Sequence, residues 1–142
     1  FDKDSVGLKN IANFFLKNSI EEREHAHKFM EYQNLRGGNV ELLGIDINLV
    51  DINFDFLKNT DSTGCYHVKT CFEKALEMEQ SVYEALLTLH KNAEDDPQFT
   101  DFIESEFLDE QVKAINELKK YISELKLLDN NGIWQFNKFF EN

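Results

Sequence analysis

The sequence predicts an all-α protein, a helical bundle formed by one domain over residues 1–142. The chain contains one proline and six glycines, so long helices can run without interruption. In three long segments, apolar residues recur every three or four positions, as on the buried face of an amphipathic helix. Thirteen phenylalanines supply bulk for a shared core.

Each helix has its own start or stop signal. The first is predicted from Asp4 or Ser5, either of which can serve as N-cap, to Arg36, where Gly37-Gly38 ends it. The other helices are predicted over residues 66–92, 98–128 and 133–140, separated by the turns EDDP (94–97) and DNNG (129–132).

Residues 39–64 form a long connection between the first two helices. Its length is that of a crossover along a bundle, and loops this long usually have a structural or functional role. Apolar and polar residues alternate in GIDINLVDINFDF (44–56), which predicts that part of the connection is extended and packs along the helices.

The charge balance excludes several classes of partner. The net charge is -12, from 15 basic and 27 acidic residues. Nucleic acids and anionic membrane surfaces attract basic proteins, so neither is expected as a partner. No apolar run approaches the roughly 20 residues of a membrane span. A soluble protein and a protein that handles cations are both compatible with this charge.

The two cysteines, Cys65 and Cys71, are too few for a disulfide framework and, on one helix, too far apart to bridge. We expect reduced thiols in an intracellular protein. The chain begins at Phe1 without an initiator methionine, so we expect the natural N-terminus upstream, and these residues do not reveal targeting.

The second helix carries one charge on its apolar face. Its predicted core stripe consists of Val68, Phe72, Ala75, Glu79, Val82, Leu86 and Leu89. Burying an unpaired carboxylate costs several kcal/mol, so Glu79 needs a cation or a proton.

The first helix has the same anomaly. At about 100° per residue, Glu22 falls within roughly 40° of an apolar face. That face consists of Ile11, Phe15, Ala26 and Phe29. His25 lies roughly 60° from Glu22, one turn along. Glu-x-x-His therefore places two potential metal ligands side by side on the apolar face.

In the third helix, Gln111 lies in the middle of the apolar stripe. The stripe consists of Phe107, Leu108, Ile115, Leu118, Ile122 and Leu125. Taken singly, a buried glutamate is more often paired with lysine or arginine than with a metal, and a histidine on such a face is more often a hydrogen-bonded core residue. The stripes contain no lysine or arginine, however. Carboxylates and an imidazole from facing helices form the sites of iron and manganese carboxylate proteins.

Three segments resemble helix sequences of the ferritin family. EEREHAHKFMEYQNLRGG (21–38) is similar to the second-helix signature of ferritins, and FIESEFLDEQVKAINEL (102–118) to the fourth-helix signature. ALEMEQSVYEALLTLHKNA (75–93) resembles the third helix, so the similarity covers nearly the whole chain. It implies a ferritin-like four-helix bundle with a short C-terminal fifth helix. It also implies a homo-oligomer or mixed shell of twenty-four subunits that oxidises and stores iron.

The resemblance assigns roles to the polar residues of the stripes. Glu22 matches the carboxylate that bridges the two irons of the ferroxidase centre, and His25 matches a ligand of one iron. Glu79 matches the carboxylate on the other iron, and Gln111 matches the glutamine beside it. This set resembles the catalytic heavy-chain type, with iron and oxygen as substrates of a di-iron site.

Other acidic residues match further positions of the family. Asp101 and Glu104 match acids that line three-fold channels for iron(II), although without the resemblance they would be ordinary acids near a helix N-terminus. Glu21 and Glu24 match carboxylates associated with mineral nucleation, and His27 stands where the family usually has a third acid. A charged, solvated face remains a fair interpretation of these last three residues.

The chain also departs from the family. It begins where the first ferritin helix has just ended, and that helix normally supplies another glutamate ligand and a tyrosine. Three helices alone would leave a groove of roughly 30–40 Å of apolar surface exposed. With the ligand missing, catalysis is expected to be impaired or abolished. The 39–64 connection is longer than the usual ferritin loop and resembles extensions of some invertebrate ferritins, including secreted forms.

The sequence therefore predicts an iron-storage subunit that oxidises iron(II) at a di-iron centre and deposits ferric mineral in a hollow shell. The alternative is a catalytically impaired shell subunit, or a truncated iron-binding or interaction module. An unrelated helical bundle with structural buried acids is a more distant alternative. We expect a cytoplasmic location, with secretion as the alternative.

Overall fold

The computed structural model describes residues 1, 6–44, 66–128 and 130–140. Its elements are α1 (Lys9–Leu35), α2 (Tyr66–Asn92), α3 (Pro97–Ile103), a π-helical turn (Glu104–Leu108), α4 (Asp109–Leu125) and α5 (Asn130–Phe139). These ranges contain helices and no strand, which confirms the predicted all-α fold. No helix in the described part of the chain is long and apolar enough to cross a membrane.

Helix α1 ends at the predicted glycines but begins later than predicted. Gly37 has a φ of 81°, in the left-handed region that glycine adopts without steric cost. At the other end, the helix begins at Lys9 because Gly7, with a φ of 64°, interrupts the helical backbone. The predicted caps, Asp4 and Ser5, lie outside the described residues.

The third predicted helix is divided. It begins at Pro97, where the Asp96 side chain accepts a hydrogen bond from the Phe99 N–H at 3.1 Å. The π-helical turn then separates α3 from α4, which ends at Leu125 rather than at residue 128. Helix α2 has the predicted bounds, and α5 begins at Asn130 rather than at residue 133.

The long connection is described only in part. Residues 39–44 belong to no helix or strand, and the rest of the predicted extended stretch lies outside the described residues. Cys65 also lies outside them. Cys71 is a free, half-buried thiol on α2, and burial raises its pKa to about 11. Its protonated form therefore dominates at neutral pH.

The described residues divide into two compact units. The first contains α1 and the residues from Trp134 onward. The second ends at Ile133 and contains α2, α3, the π-helical turn and α4. In the first unit, Ile11 is fully buried, and the Phe14 ring lies 5.1 Å from the Phe140 ring. Aromatic contacts thus join α1 to the C-terminal residues.

In the second unit, α2 and α4 pack antiparallel. The Phe72 ring meets the Tyr121 ring edge to face, with centroids 5.7 Å apart. The buried apolar residues of these two helices are Val68, Phe72, Leu86, Leu118, Tyr121, Ile122 and Leu125. Ile103 and Phe107, from α3 and the π-helical turn, extend this core.

The predicted stripes are only partly buried. Val82 and Leu89 of α2 are 40% and 36% exposed, so the prediction that the whole stripe is core is wrong for this part of the chain. Val68, Phe72 and Leu86 of the same stripe are buried as predicted. The period of a helix indicates which face is apolar, whereas burial also requires a neighbour that covers every turn of that face.

Candidate metal centre

Glu22 and His25 lie side by side on α1, as the Glu-x-x-His spacing predicts. Oε1 of Glu22 and Nδ1 of His25 are 3.6 Å apart. The His25 side chain is 18% exposed and the Glu22 side chain 51%. The predicted burial of Glu22 is therefore not found. Ala26, one turn further on, is also exposed, so the described residues of the first unit do not cover this part of the face, although they bury Ile11 near its start.

Glu79 and Gln111 are brought into contact by the packing of α2 on α4. Gln111 is only 5% exposed. Its Nε2 donates to the main-chain carbonyl of Glu79 at 2.9 Å and to Oε2 of the same residue. The half-buried carboxylate thus receives a neutral amide donor. The prediction that Glu79 also binds a cation or a proton stays a prediction.

The two pairs belong to different units. Carboxylate, imidazole and amide groups are ligands that suit iron among the divalent metals. In the described residues, however, no group of three or more histidine, cysteine, aspartate or glutamate side chains is placed to hold a metal ion. Each pair by itself provides fewer ligands than a bound iron requires.

Asp101 and Glu104 lie on either side of the junction between α3 and the π-helical turn. Both are exposed. Oε1 of Glu104 lies 2.6 Å from Nε2 of His90, the last-turn histidine of α2. This distance is that of a hydrogen bond, which the carboxylate accepts from the imidazole N–H in the tautomer with hydrogen on Nε2. The contact ties one of the two predicted channel acids to α2.

The predicted nucleation residues lie along one stretch of α1. Oε1 of Glu21 is 3.6 Å from Nζ of Lys17, an i,i+4 pair on the helix surface. Glu24 and His27 are both exposed. Their positions fit a solvated, charged face as well as a surface that meets mineral.

The π-helical turn begins at Glu104 and ends three residues before Gln111. Such turns insert an extra residue into a helix and often occur at functional sites. Here the turn rotates α4 relative to α3 and so sets which side chains of α4 face α2, Gln111 among them. The segment Glu104–Leu108 contains no glycine or proline, so no local residue pattern could have revealed it.

His90 is a candidate site residue that no sequence pattern indicated. Its position follows from the antiparallel register of α2 and α4. Once Glu79 is opposite Gln111, residues near the end of α2 must lie opposite the π-helical turn. The position of His90 could therefore be predicted only from the register between α2 and α4. The apolar periodicity of one helix does not reveal that register.

The comparison with known families decides the identity of the fold. The family Ferritin, described as a Ferritin-like domain, matches residues 2–128. The chain belongs to the ferritin family. The resemblance of the two helix signatures is thereby confirmed.

Several plant ferritins are similar over nearly the whole chain. The chain is 43% identical to ferritin-1, chloroplastic, of Brassica napus over 145 residues, which is 100% of this chain and 54% of that protein. It is 45% identical to ferritin-2, chloroplastic, of Zea mays over 142 residues, 97% of this chain and 53% of that protein. The chain thus spans about half the length of these relatives.

The names of these relatives contradict the expected location. Ferritin-3 of Arabidopsis thaliana, 45% identical over 97% of this chain, is chloroplastic like the Brassica and maize proteins. The expectation of a cytoplasmic protein, or of a secreted one, is therefore wrong. Composition and helix pattern describe a folded domain, and neither contains the targeting sequence that directs a protein to a compartment.

Proposed function

We propose that the chain is part of an iron-storage protein that binds iron(II), oxidises it with oxygen and deposits the ferric product inside a hollow shell of ferritin subunits. One observation carries the proposal. In a chain of the ferritin family, the structure pairs Glu22 with His25 on α1 and Glu79 with Gln111 across α2 and α4. These are the ferroxidase positions that the resemblance indicated.

The proposed roles follow from the chemistry of each side chain. The ionised carboxylates of Glu22 and Glu79 bind iron(II) and bind the more highly charged iron(III) more strongly, which favours oxidation. The neutral imidazole of His25 adds a nitrogen ligand. One electron leaves each of two iron(II) ions, and oxygen accepts both. Glu22 is proposed as the carboxylate shared by two irons, the role that the resemblance assigns to it.

Gln111 is proposed to hold Glu79 in place and to keep the second iron site weak. Its amide nitrogen already donates twice to Glu79, which fixes the position of that carboxylate. A neutral amide beside the metal adds no negative charge. The oxidised ion is therefore released more readily than it would be from a site with another carboxylate.

Asp101 and Glu104 are proposed to attract iron(II) to the protein. A pair of exposed carboxylates, repeated by symmetry around a channel, raises the local concentration of cations. The net charge of -12 acts in the same direction. Glu21 and Glu24 are proposed as surface carboxylates that meet the growing mineral, with His27 as a weaker neighbour.

The proposed location is the plastid, and the proposed partners are further ferritin subunits. The chloroplastic relatives support the location. The partly exposed apolar residues of α1 and α2, including Leu16 at 61% and Val82 at 40%, support burial against further protein in the assembled state.

The second candidate function is a catalytically impaired shell subunit. It is favoured by one observation, that the described residues contain no cluster of three or more metal-binding side chains. Such a subunit would take part in storage but would depend on other subunits for oxidation.

Iron loading of the purified protein distinguishes storage from simple binding. The protein is mixed with iron(II) in air, and the iron that co-elutes with it in gel filtration is counted per chain. Storage predicts an iron count that rises with the amount added, far beyond the few ions that side-chain sites can hold. A count that saturates at one or two irons per chain contradicts the proposed function.

A further inference from the structure

The first turn of α1 lacks a cap from its own chain neighbour. The four leading N–H groups of a helix have no partner within the helix, and the preceding residue usually supplies one through an oxygen of its side chain. Here that residue is Leu8, whose side chain cannot accept a hydrogen bond. The first turn therefore needs an acceptor from elsewhere.

Asn137 of α5 supplies this acceptor. Its Oδ1 accepts a hydrogen bond from the main-chain N–H of Ile11 at 3.0 Å. Ile11 is the third residue of α1, the position that an N-cap side chain ordinarily serves. The main-chain carbonyl of Asn137 also accepts from Nδ2 of Asn10 at 3.2 Å. One residue of α5 thus makes two hydrogen bonds to the start of α1.

These hydrogen bonds are shielded from water. Asn137 is 5% exposed and Ile11 is fully buried. The Phe140 ring packs on Phe14 of α1 at 5.1 Å and on Phe136 of α5 at 5.4 Å. In such surroundings, an N–H left without its acceptor costs more than the same group at a surface.

We propose that α5 carries the N-terminal cap of α1, so that docking of α5 and ordering of the first turn of α1 are a single conformational event. Neither the iron chemistry nor the family membership requires this coupling. Release of α5 removes the acceptor for Ile11 and the ring that covers Phe14 together. The start of α1 then frays, whereas Glu22, roughly 16 Å further along the helix, stays helical.

Hydrogen exchange of the unmodified full chain tests the proposal first. Coupled opening predicts that the amides of Ile11 and Phe136 exchange with the same protection factor and the same dependence on low concentrations of denaturant. If Phe136 exchanges through an opening that leaves Ile11 protected, the two events are separate and the proposal is wrong. This measurement requires no variant to fold.

Variants of Asn137 test the hydrogen bond itself. Asn137→Leu removes the acceptor and is expected to lower the protection of the Ile11 amide about tenfold, the usual effect of losing an N-cap. Asn137→Asp keeps an acceptor beside the positive end of the helix and is expected to restore protection. Trp134→Ala, at a residue 61% exposed on the same helix, is the control and should change nothing at Ile11. Equal protection of Ile11 in the Asn137→Leu variant and the parent contradicts the proposal.

Discussion

Gln111 joins α4 to α2 by donating from one amide nitrogen to both the main chain and the carboxylate of Glu79. A side chain that is 5% exposed thus donates to a half-buried acid. The same arrangement positions Glu79 for the proposed iron chemistry. Structure and proposed function therefore depend on the same residue, and different substitutions of it separate the two.

Replacing Gln111 by leucine should destabilise the fold. The variant keeps most of the volume but removes both hydrogen bonds to Glu79, which predicts a loss of about 1–3 kcal/mol in the free energy of unfolding. Urea unfolding followed by circular dichroism measures this loss. Val112→Ala, at an adjacent residue that is 54% exposed, is the control and should cost much less. Equal losses for the two variants would show that the Gln111 contacts contribute nothing special.

Replacing Gln111 by glutamate should slow repeated turnover. A second carboxylate beside Glu79 binds iron more tightly and releases iron(III) less readily. The first iron added should therefore be oxidised, while later additions react more slowly than in the parent. Successive iron additions followed by ultraviolet absorbance provide the measurement. A variant that keeps the parent rate through every addition counts against the proposed weak site.

The thiol of Cys71 should be unreactive at mildly alkaline pH. Burial raises its pKa from 9.0 to about 11, so the thiolate fraction at pH 8 is about a hundredfold smaller than for a thiol at the lower value. The measurement uses a Cys65→Ser background, which leaves Cys71 as the sole thiol. Alkylation by iodoacetamide should be slower in the folded chain than in the unfolded chain by about that factor.

The same pKa shift has a defined sign for stability. The folded chain retains the Cys71 proton to a higher pH than the unfolded chain does. The contribution of the protonated Cys71 thiol to the free energy of unfolding is therefore complete below pH 9.0. It is lost as the pH rises toward about 11. A Cys71→Ala variant should lose less stability than the Cys65→Ser parent over that interval. Fast alkylation at pH 8 in the folded chain would contradict both expectations.

Neutralising Asp101 and Glu104 should slow iron uptake at low salt. Asp101→Asn together with Glu104→Gln removes two exposed charges, and the effect should fade as ionic strength rises because salt screens the field of exposed charges. Stopped-flow iron uptake at two salt concentrations measures it. Glu84→Gln with Glu124→Gln removes the same total charge from other exposed positions and is the control. If both double variants slow uptake equally, net charge rather than this pair is responsible.

Truncating Phe72 tests the packing of α2 on α4. Phe72 is fully buried and contacts Tyr121, so Phe72→Ala should cost about 3–5 kcal/mol in the free energy of unfolding. Leu87→Ala, at a residue 43% exposed on the same helix, should cost far less. Thermal or urea unfolding compares them. A small loss at Phe72 would mean that these helices are not packed as described.

The sequence predicted the helices well where local signals act alone. The bounds of α2 and the glycine stop after α1 follow from apolar period and from glycine at a left-handed position. The start of α1 at Lys9 was missed, because the backbone at Gly7 overrides the apparent caps. The π-helical turn was missed because Glu104–Leu108 contains residues that an α-helix accommodates equally well.

Contacts between helices were the least predictable part of the site. Helical phase placed Glu79 and Gln111 on their inward faces, yet the hydrogen bonds between them depend on the register of α2 against α4. His90 and Asn137 were missed for the same reason, since each contacts a residue of another element, Glu104 of the π-helical turn and Ile11 of α1. Helical phase also predicted burial of Glu22, but its side chain is 51% exposed. Burial depends on which neighbouring residues cover the face, and phase does not contain that information.

The central claim is that the Glu22–His25 pair holds reacting iron. It is tested most directly by the initial rate of aerobic oxidation of a small excess of iron(II), in the parent and in a Glu22→Ala/His25→Ala variant. The same helix offers a matched control, Glu24→Ala/His27→Ala, with the same residue types at the same spacing on exposed positions. If Glu22 and His25 hold reacting iron, oxidation is rapid in the parent and in the control and is lost in the Glu22/His25 variant. Equal, slow oxidation in all three would contradict the claim.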